Sequence, residues 1–117
     1  MNRLLSILAL ITLTVVAQTV VIEEGTSFEL SYDHNSVYTT KIFTNGVLHR
    51  TYAPSEVRLV STGSTNNVYA VTLSGLQAKN YVFTATVVTP EGMESDPSNQ
   101  LTVSLKPRKP GNLRKFN

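Results

Sequence analysis

The side chains that could perform chemistry are few and widely separated along this 117-residue chain. Cysteine is absent, and neither His34 nor His49 has a third metal ligand close by in the sequence. The carboxylates of Glu23 and Glu24 are adjacent, so on a strand they point to opposite faces and cannot act on one substrate. The sequence also lacks a G-x-S-x-G elbow and a glycine-rich phosphate loop. We therefore expect no enzyme activity, no bound metal and no cofactor.

The acidic residues Glu91, Glu94 and Asp96 cluster between Thr89 and Asn99 and are candidates for partner binding. A good calcium site wants six or more oxygen ligands, more than this loop supplies. The cluster is predicted to be a solvated surface that a partner could contact.

A second candidate surface is aromatic. Phe43 falls on the outward face of its predicted strand, while Val47 and Tyr52 lie at the two ends of the following one. Together they predict an exposed apolar patch at a sheet edge, or side chains packed under a neighbouring loop.

The charges are unevenly distributed. Residues 106–117 contain five basic residues and no acid, whereas residues 18–105 contain four basic residues and eight acids. Such a tail attracts anionic surfaces through charge alone. Phe116 is its one aromatic residue, so specific nucleic-acid binding is not expected. The candidate partner-binding residues of the tail are Arg108, Lys109, Arg114 and Lys115.

The N-terminus has the layout of a secretory signal. Arg3 precedes an apolar run over residues 4–16, and Ala17 follows it. The pattern predicts a signal peptide over residues 1–17 and a mature protein that is secreted or displayed at the cell surface. Two alternatives stay open, a retained membrane anchor extending to Ile22 and a β-strand within residues 11–22. A membrane partner is expected only if the segment is retained.

The remaining sequence alternates polar and apolar residues in short runs, as half-buried β-strands do. Asn45-Gly46 between two such runs predicts a type I′ hairpin. The number and spacing of the runs predict an all-β fold, a seven- to eight-stranded antiparallel immunoglobulin-like sandwich.

Leu76, Tyr81 and the loop from Glu91-Gly92 to Pro97-Ser98 carry a more specific likeness. With them, the chain over residues 18–105 resembles a fibronectin type III domain. The resemblance implies that Leu76 packs beside Tyr81, whose hydroxyl caps the backbone of the corner before its strand. Tyr32 stands where that family usually has a tryptophan.

Two functions follow from these features. The first is a non-enzymatic exported binding or adhesion module that presents loops and edge strands to a protein or glycan partner. The second is a structural subunit of a surface filament or virion, assembled from copies of itself. Its N-terminal or C-terminal segment would be donated as a strand to the next copy. The proline-containing tail over residues 106–117 resembles the linker and opening strand of a following domain, which motivates this alternative.

Overall fold

The computed structural model describes residues 19–116, so the predicted signal peptide lies outside the described part. The described residues contain no helix that could serve as a membrane span. A 3₁₀ helix over Pro54–Glu56 interrupts an otherwise all-β chain. The strands are β1 (Thr19–Glu23), β2 (Phe28–His34), β3 (Thr39–Thr44), β4 (Val47–Tyr52), β5 (Arg58–Ser61), β6 (Asn67–Leu73), β7 (Asn80–Val88) and β8 (Leu101–Lys106).

The strands form two sheets that pack into a sandwich. One sheet has the order β1-β8-β7-β3-β4 and the other has the order β2-β6-β5. The predicted immunoglobulin-like sandwich is therefore confirmed. One pairing differs from the purely antiparallel expectation, because β1 runs parallel to β8. The chain crosses from one sheet to the other between β1 and β2, so β1 pairs with the last strand instead of with its neighbour in sequence.

The β3–β4 hairpin forms where its turn residues predict it. Asn45 has φ 51° and Gly46 has φ 82°, the left-handed conformations that a type I′ turn needs at both central positions. The side-chain oxygen of Asn45 also accepts a hydrogen bond of 3.0 Å from the Val82 N–H of β7. The turn thus fixes the register of β4 and attaches it to the adjacent strand.

The core lies between the two sheets, and its fully buried residues come from five of the eight strands, β3, β4, β6, β7 and β8. Phe83 is 2% exposed, and the ring of Phe28 meets it edge-on at 6.2 Å between centroids. In β3, β7 and β8 the buried residues of the core are two positions apart, as the alternating sequence predicted. The buried cluster comprises Ile42, Tyr52, Val71, Leu73, Tyr81, Phe83, Val103 and Leu105.

The corner before β7 has the arrangement that the resemblance implied. The Tyr81 hydroxyl donates a hydrogen bond of 3.0 Å to the carbonyl oxygen of Gln77, four residues earlier. Leu76 packs against the buried cluster that includes Tyr81. The tyrosine ring therefore contributes to the core while its hydroxyl satisfies a backbone group of the corner.

Tyr52 is buried and does not form part of an exposed patch. Its side chain is 2% exposed, and its hydroxyl donates a hydrogen bond of 2.8 Å to the carbonyl oxygen of Thr72 on the opposite sheet. The bulge between Ile42 and Phe43 shifts the register of β4 against β3. Tyr52 pairs with the buried Thr40, on the inward face of the sheet. Of the two possibilities that the sequence left open for Tyr52, the structure therefore shows the packed side chain.

Candidate binding groove beside strand β2

Strand β2 is an edge strand with one free side. It pairs with β6 along its full length, and among residues 19–116 no strand pairs with its other side. It has seven residues, against five in β1, six in β4 and four in β5, the other edge strands. A free edge exposes a row of backbone N–H and C=O groups that can pair with another extended chain.

A groove runs beside this free edge, between β2 and the facing strand β7. Its larger part has a volume of about 390 Å³, and a second part of about 250 Å³ adjoins it. Both parts share Tyr32, Asp33, Ala85 and Ser98 as lining residues, so they form one continuous depression. We call it the β2 groove. Its apolar lining consists of Leu30, Tyr32, Ile42, Phe83, Ala85 and Leu101.

The outer wall of the groove is built by two serines that satisfy the edge of β7. Ser95 donates its N–H to the carbonyl of Val87 at 2.9 Å, and its hydroxyl oxygen accepts from the Val87 N–H at 3.0 Å. Ser98 makes the same two bonds to Ala85, at 2.8 and 2.9 Å. The backbone of β7 is therefore paired on this side of the sandwich, and β2 carries the unpaired edge.

Tyr32 is half-buried and forms part of the groove floor. Its hydroxyl shares a hydrogen bond of 2.6 Å with the Thr40 hydroxyl of the opposite sheet, and its ring lies 6.0 Å from that of Tyr69. Burial raises the pKa of the Tyr32 hydroxyl above its usual value. It therefore stays protonated near neutral pH, and the floor of the groove is uncharged.

The rim of the groove carries negative charge. Asp33 at the end of β2 and Asp96 in the facing wall both line the groove and are exposed. Neither carboxylate forms an ion pair with any residue in the range 19–116. A groove with an apolar floor and two available carboxylates suits an extended segment that combines apolar and basic side chains.

The acidic loop residues do not act together. Glu94 lies against the outer face of the sheet, where its carboxylate accepts from the Thr86 hydroxyl at 2.8 Å and from Lys41 at 3.0 Å. The hydrogen bond from Thr86 is the main cause that holds the pKa of Glu94 below its usual value, and the hydrogen bond from Lys41 lowers this pKa further. Asp96 faces the groove instead, and Glu91 is exposed next to Gly92. Within the described part of the chain, no three His, Asp or Glu side chains form a group that could hold a metal.

Phe43 and the basic residues lie away from the groove. Phe43 is half-buried in β3, and the exposed apolar residues nearest to it in the hairpin are Val47 and Leu48, at 68% and 47% exposure. The tail carries Arg108, Lys109, Arg114 and Lys115, all exposed. It leaves the domain at the end of β8, where the Arg108 N–H donates to the Glu24 carboxylate at 3.0 Å.

Sequence reasoning overlooked most of the groove. Asp96 was singled out, but Asp33, Ser95 and Ser98 were not assigned to any site. Serines that bond alternate residues of a neighbouring strand have no local signature. The one available signal was the match of the Ser95 to Ser98 loop to a known loop pattern.

Comparison with solved structures identifies the type of fold. The chain superposes on a structure described as Clostridium thermocellum CbhA fibronectin(III)-like modules, with a TM-score of 0.54. The match covers 82% of this chain and 95% of the other, at 9% sequence identity. The fold is fibronectin type III-like. No protein-family model and no curated protein matches the sequence.

The fibronectin type III-like fold explains which groups are available for binding. Its hairpins and corners are closed by local contacts such as those of Asn45 and Tyr81. At the β2 groove, by contrast, an unpaired strand edge adjoins an apolar depression.

Proposed function

We propose that this protein is an exported, non-enzymatic binding module that takes up an extended segment of a protein partner along strand β2. The observation that carries the proposal is the juxtaposition of the unpaired β2 edge with an apolar groove of about 390 Å³. An added strand would form main-chain hydrogen bonds to β2, and its alternate side chains would enter the groove.

The size and chemistry of the groove favour a peptide. Small-ligand pockets fall in the range of about 300–1,000 Å³, and they are concave and mostly apolar with a few polar groups. This groove is also open along its length beside a strand of seven residues, a shape that matches an extended chain. Asp33 and Asp96 at the rim select partners with basic side chains.

Export rests on the sequence of the N-terminus, where a basic start, an apolar run and Ala17 form a signal-peptide pattern. The absence of cysteine is compatible with an oxidising compartment, because the packed core stabilises the fold without disulfides. The non-enzymatic assignment rests on how the groove's reactive groups are engaged. The imidazole of His34 lines the groove but bonds to the Ser36 backbone, and the hydroxyls of Ser95 and Ser98 bond to the backbone of β7.

The test is a selection of binders from a library of random peptides displayed on phage, followed by affinity measurements with the purified full chain. Asn99→Arg introduces a bulky cation at the lip of the groove, where Asn99 is exposed. We expect this variant to weaken the selected peptides at least about fivefold, the equivalent of about 1 kcal/mol.

Val47→Arg is the matched control, because Val47 is 68% exposed on the hairpin and does not line the groove. Its affinities should equal those of the unmodified chain. Peptides that lost binding only with Val47→Arg would place the binding surface on the hairpin and contradict the proposal. Binding of a glycan in the absence of any peptide binding would also contradict the proposal.

A structural role in a filament or virion is the second candidate. The observation in its favour is the exposed tail, whose apolar residues Leu113 and Phe116 are each 96% exposed. A segment that is donated to another subunit must be available in the single chain, and this one is.

A further inference from the structure

The C-terminal tail is a free segment with the composition of a ligand. After Arg108, every described residue up to Phe116 is exposed. Leu113 and Phe116 are apolar side chains at 96% exposure among basic neighbours. Exposed single apolar residues are common on protein surfaces, but here they lie on a short chain that does not pack on its own domain.

The tail and the β2 groove are complementary in charge. Asp33 and Asp96 line the groove without an ion pair among the described residues. Lys109, Arg114 and Lys115 in the tail also form no ion pair with any described residue. Opposite charges of this kind steer two surfaces together and help to fix their register.

The groove and the origin of the tail lie at opposite ends of the sandwich. Leu101 at the start of β8 lines the groove, whereas the tail leaves after Lys106 at the other end of the same strand. Strands of this length span about 20 Å. The Arg108 N–H bond to Glu24 fixes the start of the tail at the end remote from the groove.

We propose that residues 109–116 of one copy lie along β2 of a second copy, with Leu113 in the groove and basic side chains at Asp33 and Asp96. This inference rests on the proposed function, because it names the partner of the same groove. Since donor and acceptor are different surfaces at opposite ends, the contact is head-to-tail and can repeat. A single strand buries less than a standard interface of about 1,600 Å², so we expect a weak contact that forms chains at high concentration.

The first test uses a fluorescently labelled peptide of residues 107–117 and the purified full chain. We expect saturable binding that weakens as salt is raised, because the rim charges are exposed and screened. A peptide with Leu113→Ser should bind at least about fivefold more weakly, since it loses the apolar anchor.

The second test compares two charge reversals in the same loop. Asp96→Lys places a cation in the groove wall, and Glu91→Lys makes the same change of net charge on an exposed residue that does not line the groove. We expect Asp96→Lys to weaken the tail peptide about tenfold and Glu91→Lys to leave its affinity within about twofold. A peptide carrying Arg114→Glu and Lys115→Glu should recover part of the loss with Asp96→Lys.

Sedimentation velocity of the full chain at rising concentration completes the test. Species larger than the monomer should appear, and Asp96→Lys should reduce them while Glu91→Lys should not. If library-selected peptides bind the groove but the tail peptide does not, the self-association is wrong and the proposed function stands. If neither binds, both fail. A tail peptide that bound only anionic lipid vesicles would also overturn the inference.

Discussion

The sandwich has two sides along which the edges of its sheets face each other, and the chain closes one of these sides more completely than the other. Where the chain passes from β4 through the 3₁₀ helix to β5, Tyr52 fills the gap between the sheets and is 2% exposed. Its hydroxyl reaches Thr72 on the opposite sheet, and the Arg50 guanidinium lies 4.5 Å from the centre of its ring. Glu56 in turn pairs with Arg50 at 2.8 Å. We call this the closed side.

On the other side, Tyr32 occupies a comparable place and also bonds to the opposite sheet, yet it is only half-buried beside the β2 groove. The chain crosses between the sheets here as well, from β1 to β2, but only at the end where the tail leaves. The crossing chain therefore covers one end of this side and leaves the other end open. A crossing segment therefore closes a sandwich only along the length that it covers.

The largest expected effect is the loss of the Tyr52 ring. Tyr52→Ala should lower the free energy of unfolding by about 3–5 kcal/mol, as for other large buried aromatic residues. Tyr32→Ala should cost clearly less, because its ring is already half-exposed in the groove. Urea denaturation of both variants measures the difference. Equal losses would show that the open side is packed as tightly as the closed one.

The hairpin that leads into the closed side depends on Gly46. Gly46→Ala should cost about 1–2 kcal/mol, because a side chain is disfavoured in the left-handed region that Gly46 occupies at φ 82°. Gly111→Ala is the control, since Gly111 lacks a positive φ and an added Cβ meets no atom within 4 Å. Thermal unfolding should separate the two variants. A neutral Gly46→Ala would mean that the turn does not determine the position of β4.

The corner before β7 tests whether the stability of the core can change without an effect on the β2 groove. Tyr81→Phe removes the hydrogen bond to Gln77 and should cost about 0.5–1.5 kcal/mol in chemical denaturation. Peptide binding at the β2 groove should be unchanged, because Tyr81 does not line it. A loss of binding without a loss of stability would connect the corner to the groove and contradict the account.

The smallest effect concerns the loop that forms the groove wall. The pKa of Glu94 is lowered in the folded state by Thr86 and Lys41, so its contribution to stability is complete above the ordinary carboxyl pKa of 4.5 and is lost as the pH falls below that value. Glu94→Gln should therefore flatten the acid limb of the stability profile. The pKa values of Glu29 and Glu56 are lowered too, so part of the pH dependence should persist. An unchanged acid limb in Glu94→Gln would contradict the Lys41 and Thr86 contacts.

Local patterns were sufficient to predict much of the fold. Asn45-Gly46 predicted its turn because two residues with positive φ determine the hairpin, and the alternation of polar and apolar residues predicted half-buried strands. Tyr81 was placed by its resemblance to a known corner. These features depend on neighbours within a few residues, so the sequence displays them directly.

The groove could not be predicted because it depends on pairings between distant segments. The parallel pairing of β1 with β8 leaves the edge of β2 free, and nothing near β2 in the sequence signals it. For a similar reason the sequence left Tyr52 open between an exposed and a packed position, since a bulge in the β3–β4 pair shifts the register of its strand. Single-residue shifts of register reverse the face of a side chain, and the hydrophobic pattern of one strand does not reveal them.

The proposed function requires that extended segments bind along β2. The most direct measurement is amide chemical-shift mapping of the full chain by NMR during titration with the tightest peptide from the library. We expect the backbone amides of residues 30–34 and those of Ser95, Asp96, Ser98 and Asn99 to shift together. The β2 amides should also exchange more slowly with solvent. Shifts confined to β4 and β5, with no change in β2, would contradict the proposed function.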